Sequence, residues 1–421
     1  MGVLFWLNVV LGAVLVLCYS YQFVFLVISY AAKRKKYEAR CISNIAVLIA
    51  ARNEQNVIEG LIQSIKEQDY PKEKINVFVV ADNCTDNTAS VAKAAGAVVY
   101  ERFNKTEIGK GYALDFLLLK IAEDYGDSYF DAYLVFDADN LVEPDYVTEI
   151  NKVFTQGYDC VTSYRNSKNY GENWLSAGQG LCLMRDNIML NRARMAIGSC
   201  CFVSGTGFIF SSSLCRTLGG GWPFHLLTED GEFTIFSAIN GVKVGYCDTA
   251  KFFDDQPARL SQSCNQRLRW CKGYLQILGG YFGKLVRGIF SKRFVSCFDM
   301  TMCMAPAYVI SIVAVLMNVI GAVISLIAGE SVLSVSASLG LGVGVAYFGL
   351  YLFGIVLTFS EWRHLKTSGA KKVLYTFTFP LYMFTFIPIC FVALLKRNVK
   401  WVPIIHENKV SLSDLKSDEN K

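Results

Sequence analysis

Two aspartates separated by one alanine, Asp137-Ala138-Asp139, are the residues of this chain best suited to chemistry. Carboxylates so spaced at a strand end can hold a hard divalent cation through one or both groups, leaving its other positions to water and phosphate oxygens. The alternative is a loop pair that caps the next helix. Asp82 ends another apolar run and has a similar alternative in turn or N-cap chemistry. Lys110, between Gly109 and Gly111, is a point charge that can reach a phosphate or stay solvated. A glycine run at 219–221 leads to Trp222, His225 and Thr228-Glu229-Asp230, where a carboxylate near a bound sugar can serve as general base. Gln266-Arg267-Leu268-Arg269-Trp270 unites a planar amide, guanidinium groups suited to phosphate, and an indole face on which a sugar can stack. A basic amphipathic helix has the same composition.

These residues need elements to position them. Residues 45–51 are a short apolar run, and 55–68 then place Val57, Ile58, Leu61, Ile62 and Ile65 on one helical face. The alternation continues with strands at 75–81, 97–102 and 132–136 and helices at 86–95 and 111–124. Such a pattern implies a doubly wound sheet, in which ligands bind beyond the carboxyl ends of the strands. Those ends carry Arg52, Asn53 and Glu54, then Asp82 to Asp86, then Asp137 to Asn140. No GxGxxG and no GxxxxGK[ST] follows a strand, which disfavours a dinucleotide fold or a P-loop. A long helical stretch is expected at about 171–199.

The chain has 421 residues, 53% hydrophobic and 18% charged, with a mean hydropathy of +0.32, which disfavours a purely soluble protein. Residues 3–32, 300–329, 331–360 and 373–395 carry no charge. Each meets the roughly 20 residues needed to cross a bilayer core. The first is an anchor and not a cleaved signal, because no basic residue precedes it and Lys33, Arg34, Lys35, Lys36 and Arg40 follow it. The positive-inside rule then places the large domain in the cytosol and the protein, multi-pass, in the cell membrane. The expected division is a transmembrane helix at 1–32, a catalytic domain at 33–275, an interfacial amphipathic helix at 276–299, two transmembrane helices at 300–360, an interfacial, re-entrant or transmembrane segment at 361–400 and a tail at 401–421. Lys284, Arg287, Lys292 and Arg293 suit the 276–299 segment to anionic lipid. Pro380 and Pro388 argue against 373–395 as a simple fourth span. A net charge of +5 without a basic arm excludes nucleic acid as a partner, and fourteen cysteines without any CxxC read as small buried side chains.

In order and spacing, Asp82, Asp137-x-Asp139, Thr228-Glu229-Asp230 and Gln266-x-x-Arg269-Trp270 resemble the D, DxD, TED, QxxRW series of membrane-embedded processive family 2 glycosyltransferases, the group of cellulose, chitin, hyaluronan and poly-N-acetylglucosamine synthases. The resemblance covers about residues 45–275. It implies a GT-A-type doubly wound mixed sheet in the cytosol, a UDP-sugar donor, Mg2+ or Mn2+, and a growing β-linked polysaccharide acceptor, with membrane lipid around it and room for accessory export proteins. Asp82 would contact the uridine, with Arg52, Asn53 and Glu54 near the base and Lys110 near the phosphates. Asp137 would bind the diphosphate and Asp139 the metal. Asp230, and not Glu229, would be the base. Gln266 and Arg269 would shape the diphosphate site, with Trp222, Glu229 and Trp270 on the acceptor side. Asn83 departs from the family, which often has a second aspartate there. The Thr-Glu-Asp form favours a β-glucan from UDP-glucose. The alternatives are a poly-N-acetylglucosamine or hyaluronan-type synthase, a single-transfer lipid glycosyltransferase and, in another class, a membrane-anchored binding protein.

Overall fold

Ile45–Ala51 form β1 because an apolar run this short buries itself on both faces, and all but one of its residues are buried. The structure, a computed structural model, describes residues 3–399. A first helix α1 (Val3–Ala31) precedes β1, and then α2 (Ile58–Lys66), β2 (Ile75–Asp82), α3 (Thr88–Ala94), β3 (Val98–Arg102), α4 (Lys110–Tyr125) and β4 (Ala132–Asp137) alternate. After these come β5 (Leu141–Val142), α5 (Tyr146–Phe154), β6 (Cys160–Ser167) and α6 (Trp174–Met184). A π-helical stretch (Arg185–Asn191) runs on into α7 (Arg192–Ile197), so the expected helix at 171–199 carries a wide turn in its middle. The domain closes with β7 (Phe208–Ser211), α8 (Ser212–Thr217), α9 (Glu229–Asn240) and β8 (Val244–Asp254).

The eight strands make one sheet in the order β3-β2-β1-β4-β7-β6-β8-β5. Parallel pairing holds for β1 with β2 and β4, β2 with β3, and β6 with β8, whereas β7 runs antiparallel to β4 and β6. The chain steps outward from β1 to β3 and then returns to β4 on the other side of β1. That reversal opens a crevice beyond the carboxyl ends of β1 and β4, where ligands bind in such sheets.

Among the described residues, four helical segments are long and apolar enough to cross a membrane: Leu4–Ala31, Phe294–Ile327, Val332–Ser360 and Gly369–Leu395. The second and third are α11 (Phe294–Ile327) and α12 (Val332–Ser360). The fourth is two helices, α13 (Gly369–Phe384) and α14 (Phe386–Leu395), that meet at Thr385. They are tied to the sheet domain by charge. Arg194 on α7 and Asp299 on α11 are both 1% exposed and share two hydrogen bonds of 2.6 and 3.1 Å.

Two expectations are corrected here. The helix carrying Gln266 to Trp270, α10 (Leu260–Ile289), does not stop at 275; no proline interrupts it, and it runs on through Gly279 and Gly280. The expected 276–299 helix is therefore divided between the end of α10 and the start of α11. Trp222, expected at the acceptor, is fully buried, its ring 5.2 Å from Phe210, 5.2 Å from Phe224 and 5.0 Å from Phe233. An indole walled in by three aromatics cannot stack on a sugar; it is core. The expected tail at 401–421 lies outside the described residues.

Replacing Trp222 by Ala should therefore cost about 3–5 kcal/mol of stability. Thermal unfolding of the detergent-solubilised protein measures it. A variant of native stability with a raised acceptor KM would return Trp222 to the binding site.

Candidate active site

Strand register delivers the acids to one edge. Asp137 is the partner of Ala50 on β1, and Asp82 follows Ala81, the partner of Ala51, so both carboxylates leave the sheet at its carboxyl side. Asp82 is also the register partner of Arg102 on β3, which donates to Asp82 Oδ1 at 2.8 Å. Asn83 sits at a left-handed φ of 53°, a conformation asparagine tolerates. Its amide donates to Asp82 Oδ1 and to the Asn104 carbonyl, each at 3.0 Å, while its oxygen accepts from the Asn104 N–H. A second aspartate could not donate those bonds, so the departure at 83 fastens two loops together. Asn53, at φ 60°, does the same for the loop after β1 by bonding Thr85 through both ends of its amide. Arg52 and Glu54 flank it in that loop.

Lys110 begins α4 and places its ammonium between the Asp137 carboxylate and the Gly205 carbonyl, the latter at 2.7 Å. Gly205 has φ 82°, and a Cβ there would stand 3.2 Å from Asp230 Oδ2. Glycine thus lets the 204–207 loop pass between the DxD acids and Asp230. Thr206 Oγ1 accepts from the Asp137 N–H at 2.9 Å, locking the same loop to β4. Asp139 is buried, and its Oδ2 accepts from the Asp255 N–H at 3.1 Å.

Cations interleave with these acids. Arg165 on β6 donates to Asp254 Oδ2 at 2.8 Å and to the Ser204 carbonyl at 2.6 Å. The Lys168 ammonium binds the Asp139 carbonyl, and burial holds its pKa below the usual lysine range. Burial pushes Asp254 up to about 6 even though Arg165 opposes it. Arg102, Arg165 and Lys168 belong to no motif and were not singled out from the sequence. One signal was available for Arg102: an arginine ending a strand beside one that ends in aspartate.

Helix α9 opens on Glu229 and Asp230, whose charge is favoured by the helix N-terminus but disfavoured by burial. Burial, then the charge of Asp230, pushes Glu229 up to about 7, against the pull of Lys110 and Arg269. Burial also raises Asp230, with the Gly231 N–H, Lys110, Arg165 and Arg269 opposing. Helix α10 reaches this spot because Gly273 has no side chain: a Cβ there would lie 2.3 Å from Thr228 Oγ1. Gln266, Arg269 and Trp270 are three and four residues apart, on one face of α10 and half-buried. Between them, Arg267 is fully buried, bonded to Thr385 and lying 4.6 Å from the Tyr382 ring centroid.

The donor set fits a divalent cation of the magnesium type. Among the described residues no three His, Cys, Asp or Glu side chains converge on one point. Asp139 and Asp137 can therefore offer one or two hard oxygens, with water and phosphate completing the shell, which is the habit of Mg2+.

Residues 43–273 match the family described as glycosyltransferase-like family 2. A beta-monoglucosyldiacylglycerol synthase from Synechocystis sp. is 26% identical over 238 residues, 55% of this chain and 48% of that protein. An N-acetylglucosaminyltransferase from Rhizobium leguminosarum bv. viciae is 23% identical over 249 residues, 56% of this chain and 57% of that protein. The chain spans about half the length of the curated relatives it matches. The mannosyltransferase PcManGT from Pyrobaculum calidifontis, solved with GDP-Man and Mn2+, aligns with a TM-score of 0.62 and 15% identity, covering 94% of this chain and 100% of that one. At that identity the likeness is one of fold, and the fold is of the GT-A type.

With Glu229 titrating beside Asp230, its ionisation should strengthen Asp230 as a base, because a like charge disfavours a second anion. Turnover should climb as pH rises through about 7, the value to which Glu229 is pushed. Glu229→Gln, which mimics the protonated acid, should flatten that limb and hold kcat at its acid-side level from acid to alkaline pH. A variant that retains the limb would assign the titration elsewhere.

Proposed function

Given that the chain belongs to glycosyltransferase-like family 2, whose profile it matches over residues 43–273, we propose that it transfers a hexose from a UDP-sugar, with inversion, to a hydroxyl of a lipid acceptor at the membrane. The observation that carries this is the meeting of two chemistries across one glycine. On one side of Gly205, Lys110 and Asp137 face the strand-end crevice; on the other stands the Asp230 carboxylate. The first group suits a diphosphate and the second an acceptor hydroxyl.

In the reaction, the acceptor oxygen forms a bond to the anomeric carbon as the bond from that carbon to the UDP oxygen breaks. Asp230 takes the acceptor proton, and the electron pair of the broken bond leaves with UDP. Lys110 and Arg269 counter the negative charge that grows on the diphosphate, and Arg165 and Lys168 hold the loop and strand end that shape this site. Asp139, beside Asp137, would hold Mg2+ or Mn2+, which when bound supplies further charge neutralisation to the leaving diphosphate. Asp82 and the 52–54 loop, at the neighbouring strand ends, would receive the uridine.

A lipid acceptor is supported by the helices that pack against α10 and by the diacylglycerol glucosyltransferase among the relatives. A second reading, processive synthesis of a β-glucan or a poly-N-acetylglucosamine or hyaluronan-type chain passed through the membrane, is favoured by Thr228-Glu229-Asp230 with Gln266-x-x-Arg269-Trp270. Mass spectrometry of the product separates the two: one sugar on a lipid, or a ladder of oligomers. In either case the UDP-sugar site is cytosolic, on the side marked by Lys33 to Arg40.

Asp230→Asn, nearly isosteric but unable to take a proton, should lower turnover at least about 100-fold while UDP binding stays near normal. Near-normal turnover would remove Asp230 from the base role. EDTA should stop turnover, and Mg2+ or Mn2+ should restore it; full activity in the chelator would take the cation out of the reaction.

A further inference from the structure

Strands β6 and β8 pair in parallel as far as Ser163 and Cys247, and pairing resumes at Tyr164 and Lys251. Asp248, Thr249 and Ala250 of β8 have no counterpart on β6. The partner of a strand residue is ordinarily fixed by the ladder before it, and a bulge of this size removes that guide. The register beyond it governs part of the site. Past the bulge Ser167 is the partner of Asp254, and the next N–H, that of Asp255, donates to Asp139 Oδ2 at 3.1 Å. Phe253 in turn pairs with Leu141, two residues after Asp139. A slip of one residue would carry the Asp255 N–H away from that carboxylate by about 3.3 Å.

The connection from α12 to α13 grips the first pair after the bulge. Glu361 closes α12 and is buried, and its carboxylate accepts from the Tyr164 hydroxyl. His364 places Nδ1 2.8 Å from that carboxylate and Nε2 3.5 Å from the Lys251 ammonium. Tyr164 and Lys251 are thus both held from one loop. Two residues further along each strand, Asn166 donates to the His364 carbonyl at 3.1 Å, and the Lys366 ammonium lies 5.8 Å from the Phe253 ring centroid. Alternation along β6 separates the two tasks: Tyr164 and Asn166 turn to this loop, while Arg165 between them turns to Asp254 and the Ser204 carbonyl. Gly171 lets the loop close in, since a Cβ there would stand 2.6 Å from Thr367 Oγ1.

We propose that Glu361 and His364 are positioning residues for Asp139: they set the register of β6 with β8 beyond the bulge, and through it the N–H that holds the Asp139 carboxylate in place. This rests on the cation-binding role given to Asp139 above and adds to it residues far outside the four motifs. A buried carboxylate is costly unless it is bonded, so Glu361 keeps its place only while Tyr164 and His364 face it. Glu361 also ends a helix long and apolar enough to cross a membrane. The seating of α12 is thereby linked to the order of the cation site.

The test uses the full chain in detergent micelles with UDP and Mn2+, the free ion being measured by electron paramagnetic resonance. Tyr164→Phe and Glu361→Ala should each weaken Mn2+ binding to the UDP-loaded protein about tenfold, the scale of a lost hydrogen bond to a charged group. Glu361→Gln, which keeps an acceptor for the Tyr164 hydroxyl, should weaken it less than about threefold. The number of ions bound at saturation and the affinity for UDP in EDTA should match wild type in every variant, a split that general unfolding would not produce. Arg363→Ala, at an exposed position on the same loop, should change nothing. Thermal unfolding reports which variants fold, and the near-isosteric Tyr164→Phe keeps the core filled should Glu361→Ala fail. Folded variants with wild-type Mn2+ affinity, or a fall in ions bound at saturation with no change in affinity, overturn the positioning role. Wild-type protein that binds no Mn2+ in the presence of UDP overturns the reading of the site itself.

Discussion

The Lys110 ammonium, shared between the Asp137 carboxylate and the Gly205 carbonyl, is the contact on which the rest of the site depends. A nucleotide diphosphate is polyanionic, yet the crevice that would receive it is built from acids: Asp137, Asp139, Asp254, Glu229 and Asp230. Unit charges a few ångströms apart repel strongly where water is scarce. Lys110 answers this locally by neutralising the most exposed of the DxD acids and, in the same act, pinning the loop that separates it from Asp230. Arg165 on β6 repeats the device between Asp254 and the Ser204 carbonyl. Removing either cation would leave a carboxylate uncompensated beside its acidic neighbours.

The same constraint explains how a sheet domain is held against hydrophobic helices. A buried ion pair is weak evidence for stability but strongly fixes geometry, because either partner left alone is costly. Arg194–Asp299 joins α7 to α11 in this way, and Arg267 joins α10 to the α13–α14 junction at Thr385. Arg267 lies within the Gln266 to Trp270 segment but faces away from the crevice, into the aromatic rings of Tyr382 and Phe386. One segment thus carries the motif residues Gln266, Arg269 and Trp270 on one side and a helix anchor on the other. Arg267 thus fixes from behind the face of α10 that carries Arg269 and Trp270.

Much of this was legible in the sequence. The runs at 45–51, 75–81 and 132–136 correspond to β1, β2 and β4, since strands buried on both faces read as unbroken apolar stretches. Strand β6 was not legible, because Cys160–Ser167 mixes Thr162, Ser163, Asn166 and Ser167 into its buried positions. Those polar groups are tolerated only through partners that sequence does not reveal, such as the Ser163 hydroxyl on the Gly207 carbonyl. Trp222 misled for the opposite reason. A tryptophan after three glycines reads as exposed, but the glycines form the turn that sends it inward onto Phe210 and Phe233. The acids of the site lie in recognisable motifs, whereas Arg102, Arg165 and Lys168 sit alone in strands and become meaningful only once pairing sets them beside those acids.

Burial of Asp230 carries a cost and a use. An acceptor hydroxyl is a far weaker acid than any carboxyl, so a base with an ordinary aspartate pKa has little driving force to accept its proton. Efficiency improves as the pKa of the base approaches the working pH. Desolvation at the start of α9 moves Asp230 in that direction, and the neighbouring Glu229 is itself displaced to about 7 by burial and by the charge of Asp230. The helix N-terminus, Lys110 and Arg269 limit the displacement. The three cationic influences differ in one respect. The helix dipole is fixed, but Lys110 and Arg269 also face the crevice, so arrival of a diphosphate would draw on their charge and relax their hold on Asp230. The carboxylate would then become more basic when the donor is in place, coupling the strength of the base to occupancy of the leaving-group site without any movement of the backbone.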